Sequence, residues 1–215
     1  MFYQYFHRYL GSVLFESQYT NKTRHQLETA SVFPDTVKYT KEYGYTRTWH
    51  YLDIPIEFCL ENQTIVDNYL FTKLDTGLLK GLFNGVNNSH GFDFILHFLQ
   101  DMVQPFHTID YFKGGNDIYG LVNSKNTSLH ALWDSILPEL YKPRKHDYNF
   151  TKTKTKQEIV FEQLYKSFKR ACHFKVPNQF VIESSIQYFN DNNLQSIFNE
   201  IVEAFIELSF YFFTD

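Results

Sequence analysis

Cysteine is nearly absent: Cys59 and Cys172 are the only two in 215 residues. That excludes a disulfide-rich scaffold and a zinc cage built from thiolates, and leaves room for one bridge. No run of about 18 uncharged apolar residues occurs, so a spanning helix is excluded. Positive charge is not in excess, with 20 Lys and Arg against 24 Asp and Glu and a formal charge of −4. Such a chain does not grip nucleic acid through bulk electrostatics. No internal repeat and no Gly/Ser/Pro linker divides it, and Met1 to Leu10 has neither the apolar core nor the small-residue cleavage site of a signal peptide.

What is present is enough apolar material for one core: 43% of residues are hydrophobic, among them 23 Phe and 16 Tyr. One domain over residues 1–215 is expected. Five N-x-S/T sequons begin at Asn21, Asn62, Asn87, Asn126 and Asn149. An Asn-rich chain produces some by chance, and a secreted or lumenal glycoprotein carries them for use. Helical spacing of apolar residues predicts helices over 62–83, 89–104, 157–174 and 180–213, with a short one over 128–137 stopped by Pro138. Residues 12–60 read as loops with brief helices, 111–125 as a Gly- and Asn-rich loop, and 142–156 as an exposed basic excursion. The class is all-α.

Histidine and aspartate are patterned on this frame. His97 and Asp101 are four apart on the 89–104 helix and share a face. His107 follows just past the bend at Pro105, and His130 and Asp134 repeat the i, i+4 pairing. Imidazole and carboxylate on adjacent turns suit a borderline cation such as Zn²⁺. His7, His25, His90, His146 and His173 lack partnered spacing and read as solvated or core, as Trp49 and Trp133 read as core. The absence of Glu-x-x-His pairs argues against a di-iron carboxylate bundle.

The run HFLQDMVQPFH over 97–107 resembles a signature of the zinc-dependent single-strand nucleases, the fungal, plant and kinetoplastid class I nuclease/3′-nucleotidases that are distant cousins of zinc phospholipase C. Gly114-Gly115-Asn116, LHALWDS over 129–135, SVFPD over 31–35 and Trp49-His50-Tyr51 resemble its other blocks, in family order. The resemblance implies a helical bundle of that type and zinc-dependent hydrolysis of single-stranded DNA or RNA to 5′-nucleotides, with 3′-nucleotidase activity. It assigns a first zinc to Asp35, His50, His97 and Asp101 and a second to His107, His130 and Asp134. Two Zn²⁺ against three carboxylates leave one net positive charge, so metals rather than Lys or Arg would attract phosphate. Lys38 matches a phosphate-stabilising position that is usually Arg, and Asp35 is placed either to orient or deprotonate the attacking water or to act as a ligand alone. Tyr51, Asp53 and Asn116 match substrate-binding positions.

The family's third zinc takes an N-terminal Trp and a nearby His. Phe2 and His7 have the right separation here, but the Trp and two glycines are missing. The expectation is two zinc sites, a doubtful third, and a domain incomplete at its N-terminus. Cys59 lies where some relatives place a disulfide cysteine. Single-stranded nucleic acid or 3′-nucleotides are the implied partners, with no stable protein partner, and the implied location is secreted or endomembrane lumen. A phospholipase C-like phosphodiesterase and an impaired metal-binding homologue are the alternatives.

Overall fold

The computed structural model describes residues 3–144 and 148–214, and the backbone but not the side chain of Tyr3. Met1, Phe2 and His146 lie outside the described residues. In chain order the helices are α1 (Tyr3–Ser17), α2 (Arg24–Ala30), α3 (Phe33–Val37), α4 (Gln63–Phe71), α5 (Gly77–Asn84), α6 (Gly91–Val103), α7 (Leu129–Ala131), α8 (Leu137–Leu140), α9 (Lys156–Phe174), α10 (Ser185–Asp191) and α11 (Leu194–Phe213). The strands are short: β1 (Ile54–Pro55), β2 (Ile109–Asp110), β3 (Tyr119–Val122), β4 (Lys125–Ser128) and β5 (Gln179–Ile182). The fold is an all-α bundle with two small sheets attached.

Helix α6 is its axis. Every side chain from Leu96 to Val103 is buried, polar ones included, so other elements enclose the helix on all sides there. It packs against α2, α3, α5, α9 and α11. Pro105 has no amide proton and holds the preceding residue extended, so α6 stops there with Gln104 at ψ 119°. A 3₁₀ turn over Pro105–His107 follows. Leu52 then donates its amide to the His107 carbonyl at 2.8 Å, and β1 pairs with β2 in parallel, Ile54 facing Ile109. This pairing ties the segment after His50 to the segment after His107.

Several expected elements are redrawn. The loops expected from residue 12 begin inside α1, whose Leu10, Val13 and Leu14 are buried. The 62–83 helix is two, because the chain turns between α4 and α5. The 128–137 helix is not stopped by Pro138: a widened π turn over Leu132–Ile136 lets the Leu137 amide reach the Leu132 carbonyl, and Pro138 sits in the first turn of α8, where a missing amide costs little. The 111–125 loop contains β3, which pairs antiparallel with β4 through a tight turn whose Asn123 and Ser124 both have positive φ. The 180–213 stretch divides into the end of β5, α10 and α11, and β5 pairs with β3 in parallel. Cys59 and Cys172 form a disulfide that joins the 3₁₀ turn Ile56–Leu60 to α9. Trp49 and Trp133 are core residues. Among the described residues, no helix is long and apolar enough to cross a membrane.

Candidate functional site

Two groups of side chains converge where α6 meets the turns around it. His97 and Asp101 leave the same face of α6, and the 3₁₀ turn Gly44–His50 sets His50 against them. His50 Nδ1 lies 3.0 Å from Asp101 Oδ2 and 3.0 Å from His97 Nε2. His97 Nε2 is 3.1 Å from the same oxygen. Asp35, on α3, places Oδ1 3.6 Å from His50 Nδ1 and 3.7 Å from His97 Nε2. A tetrahedral Zn²⁺ with bonds of about 2.0 Å requires donors about 3.3 Å apart. The observed separations bracket that value.

The second group is His107, His130 and Asp134. His130 Nε2 is 3.0 Å from Asp134 Oδ2, and His107 Nε2 is 3.6 Å from Asp134 Oδ1. Three donors, rather than four, match a cation that keeps one position open to substrate. Asp101 links the groups, since its Oδ1 lies 3.3 Å from His107 Nδ1.

Hydrogen bonds behind the rings set how they present their nitrogens. His97 Nδ1 meets the Ser31 carbonyl at 2.7 Å, His107 Nδ1 the His50 carbonyl at 2.9 Å and His130 Nδ1 the Gly114 carbonyl at 2.8 Å. A carbonyl only accepts, so each Nδ1 carries a hydrogen and each Nε2 is turned inward. Asp35 Oδ2, Asp101 Oδ1, His107 Nε2 and Asp134 Oδ2 are buried with no hydrogen-bond partner among the described residues. Orphaned buried polar atoms are costly, and a cation or a water beside each of the four would satisfy it. The residues fit a metal centre.

The charges are strongly coupled. Burial opposes charging Asp101, yet His97 and His107 hold its carboxyl well below the usual range. Asp134 is likewise held down by His130 and His107 against its burial. His107 is pushed up to about 10, Asp101 outweighing the burial that disfavours its charge. His97 is raised by Asp101 and Asp35 against burial. Burial dominates at His50, which falls to about 4. A cation binding here would compete with protons for these imidazoles.

His7 corrects the reading of that residue as solvated or core. Helix α1 carries it to the cluster, where its ring stacks on His97 with centroids 4.4 Å apart and Nε2 lies 3.6 Å from Asp101 Oδ1. Gln100 Oε1 accepts from Nδ1 at 2.6 Å, and Gln100 Nε2 donates to Ser31 Oγ at 2.8 Å. His7, Asp35 and His97 thus form a third group of close donors. Its separation from Phe2 was the available signal. Of the other histidines set aside, His25 and His173 are exposed, whereas His90 pairs with Asp93 at 2.8 Å and stacks on Phe33.

Gly114 and Gly115 adopt φ of +61° and +80°. A Cβ on Gly114 would stand 2.3 Å from the Phe106 carbonyl oxygen, and its own carbonyl orients His130. Gly114→Ala is therefore expected to lose about 1–3 kcal/mol of stability from strained backbone and to weaken metal retention, read by urea unfolding beside metal analysis.

Lys38, Tyr51, Asp53 and Asn116 all line one cleft of about 610 Å³ with His50, His107 and His130, a volume suited to a nucleotide-sized ligand. Lys38 Nζ is 2.6 Å from Asp35 Oδ1, and this pairing keeps its ammonium charged against partial burial. Tyr51 is 41% exposed, leaving a ring face open. Asn116 Nδ2 donates to the Lys113 carbonyl at 2.9 Å and so closes its own turn. Sequence reasoning missed Ser31, Gln100 and Gln104 behind the cluster, where Gln104 donates to Asp134, and Tyr39, Arg47 and Asp110 in the cleft. No spacing rule marks such residues.

The sequence model of the S1/P1 Nuclease family matches residues 9–205. The chain is 24% identical to Nuclease S1 of Aspergillus oryzae (strain ATCC 42149 / RIB 40) over 152 residues, which cover 64% of this chain and 50% of that protein. It is 36% identical to Nuclease P1 of Penicillium citrinum over 53 residues, 25% of this chain and 20% of that one. The same identity and coverage hold for Nuclease PA3 of Penicillium sp. The chain thus spans half or less of the length of these relatives.

Proposed function

The chain belongs to the S1/P1 nuclease family, and on that premise we propose that it is a zinc-dependent phosphodiesterase that cleaves single-stranded DNA or RNA to 5′-nucleotides and removes 3′-phosphates from nucleotides. The observation that carries this reading is the close donor group His50, His97 and Asp101, with Asp35 Oδ1 3.6 and 3.7 Å from its two imidazoles, beside a second group of His107, His130 and Asp134, and a cleft that His50, His107 and His130 line together. Asp35, His50, His97 and Asp101 would hold one Zn²⁺, and His107, His130 and Asp134 another. A third would rest on His7 and Asp101 and be the weakest held. Bound zinc supplies Lewis acidity, polarising phosphoryl oxygen and making water easier to ionise.

The remaining work falls to the chain's own groups. Asp35 Oδ2, without a hydrogen bond among the described residues, is the atom to orient the attacking water and take its proton. Lys38 faces the negative charge that grows on the equatorial phosphoryl oxygens; as a point charge it lacks the two-pronged grip of Arg. Tyr51 stacks a base, an interaction worth about 1–3 kcal/mol and tolerant of sequence. Asp53 accepts from the base edge, and Asn116 bounds the subsite. A base must be unstacked from a duplex to reach Tyr51, which favours single strands.

The Cys59–Cys172 disulfide supports an oxidising compartment, secreted or endomembrane lumen. Exposed Asn21, Asn87, Asn126 and Asn149 are the available glycan acceptors, while the Asn62 side chain caps α4.

The test combines metal analysis with hydrolysis of single-stranded DNA and a 3′-nucleotide. His130→Ala should lose about one equivalent of zinc and most activity. Unchanged stoichiometry in that variant would refute the assignment.

A further inference from the structure

We infer that Tyr39 and Arg47 form a subsite for the nucleotide next to the scissile phosphate, so that the cleft grips a strand at more than one unit. The inference rests on the hydrolytic reading above and says where, beyond the nucleotide at the metal centre, the cleft holds the strand.

A line of contacts leads from the cluster to this place. Asp35 holds Lys38 by the ion pair described above, Lys38 Nζ lies 5.8 Å from the Tyr39 ring centroid, and the Arg47 guanidinium lies 5.0 Å from the same centroid. All three of Lys38, Tyr39 and Arg47 line the cleft. Asp35 balances the Lys38 charge, which leaves the Arg47 guanidinium as the cation at this ring able to take a phosphate. Arg47 makes no ion pair among the described residues, whereas Lys113, another cation of the cleft, is held by Asp117 at 2.8 Å. Asp53 and Asp110 gather instead at β1 and β2. Phosphate is therefore drawn toward the Tyr39 edge.

Tyr39 supplies the second half of the recognition. It is 73% exposed, so its ring buries little and stabilises the core little. An exposed aromatic ring beside cations is how sequence-tolerant sites hold single strands, with the ring taking a base and the cations the backbone.

The experiment uses the zinc-loaded protein with fluorescein-labelled oligothymidylate and oligouridylate, and a 3′-mononucleotide for comparison. Arg47→Gln should raise KM for the oligonucleotides about 5–10-fold, and its loss of kcat/KM on them should exceed its loss on the mononucleotide at least about fivefold. The slope of log Kd against log salt, from fluorescence anisotropy, should become shallower by about 0.7, the share of one single-strand phosphate. Tyr39→Ala should weaken oligonucleotide binding about tenfold, and Tyr39→Phe should restore it. Equal losses on both substrate classes, an unchanged salt slope, or no oligonucleotide binding by the parent protein would each overturn the subsite. Arg47-dependent binding without hydrolysis by the parent would instead refute the hydrolytic reading and leave this subsite standing.

Discussion

Asp101→Asn is expected to strip metal and activity together. Its Oδ2 lies within about 3 Å of His50 and His97, and its Oδ1 faces His7 and His107. The variant keeps the shape but presents an amide where a negative charge balanced imidazolium or metal. Loss of at least one zinc equivalent should accompany a fall of roughly 10²–10³-fold in kcat/KM, the range for deleting one electrostatic stabiliser. Circular dichroism should show the helices retained, because α6 is held by its apolar neighbours. A variant with parent-like zinc content would show that Asp101 is a structural carboxylate and not a ligand.

The second large effect concerns stability. The Cys59–Cys172 bridge closes a sequence separation of 113 residues, and constraining so long an unfolded loop is worth about 4–5 kcal/mol by chain-entropy reasoning. Replacing both cysteines with Ser should therefore lower Tm by about 10–15 °C, measured by calorimetry on the oxidised parent and the variant. The site should also loosen, since α9 packs against the Pro105–His107 turn that carries His107. A change in Tm of under about 2 °C would mean that the unfolded chain is already compact without the bridge.

Legibility along the chain followed the range of the interactions involved. The i, i+4 pairs His97/Asp101 and His130/Asp134 were readable because helical geometry alone puts each pair on one face. The stop at Pro105 was readable because a missing amide is a local fact. The break between α4 and α5 was not, since apolar periodicity persists through a turn. Nor was β3, whose exposed Tyr119 and Leu121 alternate with inward Gly120 and Val122 over too few residues to stand out from a loop. His7 was misjudged because its partners, Gln100 and Asp101, lie more than ninety residues away.

The sequence by itself determined an all-α bundle, the family blocks, and the candidate set Asp35, Lys38, His50, Tyr51, Asp53, His97, Asp101, His107, Asn116, His130 and Asp134. Residue type and short spacing carry that information, since ligand chemistry and helix period are properties of the chain itself. Only the tertiary structure decided that His50 and His97 meet at 3.0 Å, that His7 joins them, that Cys59 reaches Cys172, and that Arg47 lies against Tyr39 in the same cleft. These facts depend on how α1, α3, α6 and α9 pack. Packing is set by the summed burial of side chains distant in sequence, which no local pattern encodes.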